Sequence, residues 1–93
     1  MSTTIRVEPI DPGQFQVTVT DGDSQSVHTV SLSANYYEKL TQKQVTQEVL
    51  IEQSFRFLLE HEPKESILRE FDLPLIGHYF RNYESEIRRR LGT

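Results

Sequence analysis

The chain contains no cysteine and no tryptophan, and only four of its 93 residues are glycine. Without cysteine there is no disulfide framework, no thiolate zinc site and no cysteine nucleophile. The glycines stand scattered at 13, 22, 77 and 92, so neither a P-loop nor a Gly-x-Gly-x-x-Gly turn is present to cradle a phosphate. No apolar run approaches the roughly 18 residues of a membrane span, and Met1-Ser2-Thr3-Thr4-Ile5-Arg6 lacks the apolar stretch of a signal peptide. No membrane partner is expected, and the expected compartment is the cytoplasm. Positive charge is also scarce. Ten Lys and Arg against fourteen Asp and Glu give a formal charge of −4, which argues against a chain that coats nucleic acid or an anionic membrane.

What the sequence does have is enough aliphatic and aromatic material to fold. Ile, Leu, Val and Phe account for 27 of the 93 residues, above the level of about 20% below which charged chains tend to stay disordered. One domain over 1–93 is expected, because compact domains start at about 50 residues and a second would find no room.

The first third alternates. Phe15, Val17 and Val19 share one face of Gln14–Thr20 while Gln16, Thr18 and Thr20 share the other, the period of a half-buried strand. Val27-His28-Thr29-Val30-Ser31-Leu32 resumes the alternation. Asp21–Ser26 between them reads as a loop of about six residues. Upstream, Ile5-Arg6-Val7-Glu8 is a candidate third strand ahead of the Asp11-Pro12-Gly13 turn.

After Ser33 the period becomes helical. Ser33 suits the N-cap of a short helix bearing Tyr36, Tyr37 and Leu40. A break is predicted within 41–46, where Thr41 and Thr46 compete to cap the next helix. From Val45 to Glu60 the apolar residues Val49, Leu50, Ile51, Phe55, Phe57, Leu58 and Leu59 exceed one stripe, so this helix is expected to be central and covered on more than one side. Pro63 suits the first turn of a further helix over Lys64–Phe71, with Ile67, Leu68 and Phe71 inward. A last helix shows apolar positions at 76, 80, 83, 87 and 91, with an interruption possible near 77–82 and a stop at Gly92. These segments define an α+β chain: an N-terminal antiparallel hairpin or three-stranded sheet within 1–33, followed by three to four helices within 34–93.

Catalytic and ligand-binding patterns are missing. His28 is in phase with Val30 and Leu32 and is predicted to point inward, His61 sits at a helix end, and His78 lies beside the last apolar stripe. None forms a His-Glu-x-x-His pair. The serines lack a Gly-x-Ser-x-Gly elbow and a Ser-x-x-Lys partner. Asp21-Gly22-Asp23 lacks the remaining ligands of an EF-hand. No catalytic residue, metal ligand or cofactor is therefore expected.

Two surfaces remain. Residues 66–80 have the outline of a degenerate helix-turn-helix, although His78 and Arg81 fall where that motif buries apolar residues. Charge also divides the chain, since residues 1–63 sum to −5 and 64–93 to +1. Arg81, Arg88, Arg89 and Arg90 gather at the tail, with Tyr79 and Tyr83 nearby as anchor groups. The candidate partner-binding residues are thus Tyr79, Arg81, Tyr83, Arg88 and Arg89.

The stretches Phe55-Arg56-Phe57-Leu58-Leu59-Glu60, Pro63–Leu73 and Ile76–Glu84 together resemble a group of small bacterial proteins of similar length. That resemblance implies a bacterial source and a strand-then-helix order, and it transfers no activity, cofactor or site residue. The expected function is a non-enzymatic protein-interaction or accessory domain using the hairpin edge or the tail helix. The alternative is nucleic-acid binding through residues 66–80 and the basic tail.

Overall fold

The computed structural model describes residues 3–92. β1 (Thr3–Asp11), β2 (Gln14–Asp21) and β3 (Ser24–Ser31) form an antiparallel meander, and β4 (Glu70–Asp72) adds to β3 in parallel, giving the order β1-β2-β3-β4. The four helices are α1 (Ala34–Thr41), α2 (Gln47–His61), α3 (Ile76–Tyr79) and α4 (Tyr83–Leu91), with 3₁₀ turns at Lys64–Ser66 and Leu73–Leu75. This is the expected α+β class, with the third N-terminal strand present.

Both hairpin turns are tight. Asp21 pairs with Ser24, leaving only Gly22 and Asp23 in the loop that the sequence suggested would span six residues. Ser24, Gln25 and Ser26 read as loop because they are polar, yet they sit at the wet end of the sheet, where main-chain ladder bonds form whatever the side chain. Gly22 takes φ +63° at the first central position, which a type II′ turn demands. At the other turn Pro12 precedes Gly13 at φ +77°, the pattern of a type II turn. The ladder slips beside it, between Pro9 and Asp11, and leaves Ile10 48% exposed.

Phe15, Val17, Val19, Val30 and Leu32 line the buried sheet face, as their spacing predicted. α2 lies across that face. Phe55 meets the sheet side, with ring centroids 5.3 Å from His28 and 6.0 Å from Phe71, while Phe57 meets Tyr83 of α4 at 5.6 Å. The central helix is thus covered on two sides, which is why its apolar positions exceed one stripe. Its cap is Thr46, whose Oγ1 accepts the Val49 N–H at 3.2 Å; Ser33 caps α1 in the same way through Tyr36 at 3.1 Å. Between these helices Gln42 and Lys43 adopt φ of +52° and +62° and end α1 within the predicted break.

The helix expected over Lys64–Phe71 does not form. A single 3₁₀ turn follows Pro63, Ile67 is extended at ψ 133°, and β4 begins at Glu70. The last third is therefore not purely helical. Ile67 and Phe71 are four apart, which places them on one side of a helix and equally of an extended chain, so their spacing could not separate the two. Leu68 separates them: an inward helical position becomes an outward extended one, 47% exposed. The predicted interruption of the last helix is present, with α3 ending at Tyr79 and α4 starting at Tyr83.

Candidate functional site

Between the C-terminal end of α2 and the segment 66–80 lies an apolar groove of about 400 Å³. Its wall is built by Leu58, Ile67, Phe71, Leu75, Ile76 and Phe80, its rim by Ser66, Leu68 and Tyr79, and Glu62 is its one charged lining residue. The chain arrives here by a series of local stops. Pro63 has no N–H to extend α2, so Glu62 caps the helix in extended conformation at φ −154°. The 3₁₀ turn then buries the Lys64 stem, and its ammonium sits 2.8 Å from the Glu65 carboxylate. That hydrogen bond holds the Glu65 carboxyl below its ordinary range, and the Ser24 hydroxyl donates to the same carboxylate at 3.4 Å.

His28 fixes the far wall. Its ring is 1% exposed, with Nδ1 2.8 Å from the Leu68 carbonyl and Nε2 2.9 Å from the Ser26 hydroxyl. A carbonyl only accepts, so Nδ1 carries the proton and Nε2 accepts from Ser26, the tautomer of a neutral ring. Burial lowers the pKa of His28 and Arg69 lowers it further, against the opposing bond to Leu68. Beside this clip the Thr29 N–H donates to the Arg69 carbonyl at 2.6 Å and opens the short parallel ladder from Thr29–Glu70 to Ser31–Asp72. The groove is consequently an outcome of β3 capturing residues 67–72. On its other side His61 stacks on Phe80 at 4.8 Å and meets the Phe57 ring at a steep tilt at 4.7 Å, closing the end of α2.

The candidate residues from the sequence scatter around this site. Tyr79 stands on the groove rim, 68% exposed. Arg81 is exposed in the link between α3 and α4. Tyr83 is not a surface anchor: it is 0% exposed and hydrogen-bonds Ser54 in the core, because its place in the 76, 80, 83, 87, 91 stripe turns it toward α2. Arg88 reaches the Lys39 carbonyl at 3.4 Å, and Arg89 pairs with Glu86 one turn back. Arg90 bridges Glu60 of α2 at 2.6 Å and Glu86 at 2.9 Å, holding the Glu86 carboxyl below its ordinary range. The tail cations largely serve contacts within the fold and present no single basic face.

The helix-turn-helix outline also fails as geometry, since 66–80 contains the end of a 3₁₀ turn, a strand, a second 3₁₀ turn and a four-residue helix. Among the described residues no group of three or more His, Cys, Asp or Glu could hold a metal ion, and no helix is long and apolar enough to cross a membrane. Of the groove lining only Tyr79 stands among the partner-binding candidates, while Leu68 and Phe80 read from the sequence as inward helix positions. One signal was available: Leu73, Leu75, Ile76, Tyr79 and Phe80 are more apolar residues than one short helix face can bury. No family model matches the chain, and no curated protein or solved structure matches it either.

Proposed function

We propose that this chain is a non-enzymatic protein-interaction module whose groove receives an apolar side chain from a partner segment with a Lys or Arg beside it. The observation that supports this reading is the groove itself, a concave apolar site with the large side chains of Leu68 and Tyr79 left exposed at its mouth. Aromatic and aliphatic anchors seated in such depressions are the usual centres of protein–protein contacts. The charge preference follows from the surroundings. Glu60 and Glu65 are engaged by Arg90 and Lys64, whereas Glu62, the one charged residue of the lining, makes no ion pair among the described residues. A basic group flanking the anchor therefore meets the uncompensated Glu62 carboxylate. A cytoplasmic setting accompanies this reading, since a cysteine-free chain suits a reducing compartment.

Selection from a random peptide library against the protein tests the reading. Enriched peptides should share an apolar residue next to Lys or Arg, and their binding should weaken at least about tenfold on Leu68→Asp or Tyr79→Ala, the loss of one central anchor contact. Peptides that bind both variants as well as the parent would overturn it. So would failure to enrich any peptide, or retardation of random duplex DNA at about 50 mM salt that vanishes by about 200 mM, the signature of phosphate binding.

A further inference from the structure

The outer edge of β1 has no neighbour: β1 begins the order β1-β2-β3-β4, and no described strand lies beyond it. Which groups it offers follows from the ladder. The Leu32 N–H donates to the Gly13 carbonyl at 2.8 Å across the β2–β3 pair. Odd positions of β2 therefore bond to β3 and even positions bond to β1, because an antiparallel ladder alternates. Thr4, Arg6 and Glu8 face Thr20, Thr18 and Gln16, so these three bond inward. Thr3, Ile5, Val7 and Pro9 turn their main-chain groups outward. Pro9 thus falls where its missing N–H costs no bond within the sheet.

We propose that a second copy of this chain occupies this edge, with the two β1 strands antiparallel about a two-fold axis through Val7. Charge selects that register. Pairing about Val7 sets Arg6 of each copy opposite Glu8 of the other, in the non-hydrogen-bonded positions where cross-strand side chains approach most closely. Moving the axis one residue toward the N-terminus sets Arg6 against Arg6, and one residue toward the C-terminus sets Glu8 against Glu8. Both side chains are free to re-pair, being 73% and 49% exposed with only a 3.4 Å contact to each other. On the inner face the half-buried Val7 meets its own copy and Ile5 meets Pro9, which extends the apolar layer of the core across the axis. The Val7 pair exchanges two main-chain bonds, and at each Ile5–Pro9 pair the Ile5 N–H donates to the Pro9 carbonyl. Charges and proline commonly guard an edge strand against any pairing. Here opposite charges two residues apart repel the two adjacent registers and attract in the one about Val7.

Sedimentation equilibrium of the full chain over micromolar concentrations tests this. A dimer is expected. Arg6→Glu or Glu8→Arg alone turns both cross-strand pairs repulsive and should weaken association at least about tenfold, whereas the double exchange restores it. Arg6 and Glu8 are solvent-facing, and far-UV circular dichroism checks that each variant is folded. An independent arm uses the absence of native cysteine. Val7→Cys should oxidise to a linked dimer, since Cα atoms of a hydrogen-bonded pair lie about 5.5 Å apart, within disulfide reach, while Arg6→Cys should not. A monomer throughout the range, association indifferent to the exchanges, or linkage through Arg6→Cys in place of Val7→Cys would overturn the proposal.

Discussion

The Tyr83 hydroxyl meets the Ser54 hydroxyl at 2.7 Å, and neither side chain is open to solvent. Ser54 donates its own proton to the Leu50 carbonyl one turn back, at 2.8 Å, so Tyr83 is the donor and the Ser54 oxygen the acceptor. Burial raises the pKa of Tyr83 and keeps that donor protonated. The chain of bonds joins α4 to α2 through an otherwise apolar layer.

Removing either end of this chain should have unequal costs. Tyr83→Phe leaves Ser54 with its Leu50 acceptor and is expected to destabilise by about 1 kcal/mol, the net worth of an ordinary hydrogen bond. Ser54→Ala strands a buried phenol hydroxyl and should cost more, about 1–3 kcal/mol. Urea unfolding measures both, and the double variant should cost less than the two singles together because they share one bond.

Acid should weaken the clip between β3 and the groove. His28 is neutral in the fold, with a pKa below its ordinary 6.5, so the unfolded chain takes up the proton first as pH falls. Its contribution is complete above 6.5 and declines below it, by at most about 1.4 kcal/mol per pH unit, until the folded ring is itself protonated. His28→Gln keeps a donor and an acceptor and cannot titrate. Urea midpoints between about pH 7.5 and 5.5 should therefore fall more steeply for the parent than for this variant, a span that brackets the ordinary histidine pKa. Equal slopes would show that His28 is not the titrating group.

Leu68 and Phe71 distinguish the strand from the helix that the local sequence favours. In the strand Leu68 is 47% exposed and Phe71 is 8% exposed. Leu68→Ser should then change stability by no more than about 0.5 kcal/mol, as at ordinary surface sites, whereas Phe71→Ala should cost about 3–5 kcal/mol. Thermal or urea unfolding reads the contrast, and comparable losses at both positions would require the helix instead.

The start of α2 rests on one side chain. Thr46→Ala removes the acceptor for the Val49 N–H and should cost about 1 kcal/mol. Thr46→Asp should recover most of it, because aspartate caps as well and adds charge at the positive end of the helix.

Much of the fold was legible because its signals are short-range. The alternation of Phe15, Val17 and Val19 names the buried face of β2 without knowledge of any partner. Ser33 and Thr46 announce helix starts because capping needs only a side-chain oxygen beside free N–H groups. The site was less legible. Tyr83 sits in an apolar stripe and also resembles a surface anchor, and only the position of Ser54 decides between the two. The tail arginines read as a free basic cluster until Glu60, thirty residues earlier, is seen to hold Arg90.

By itself the sequence determined the strand-then-helix order, the inward faces, the helix caps and the break before α4, because each depends on backbone preference and periodicity among near neighbours. Only the tertiary structure decided the course of residues 67–72. There Ile67 and Phe71 satisfy a helix and a strand equally, and the choice falls to the open edge of β3 and to His28, forty residues away, which holds the Leu68 carbonyl. The groove exists because that distant contact prevails over local preference, so no reading of neighbouring residues could have placed it.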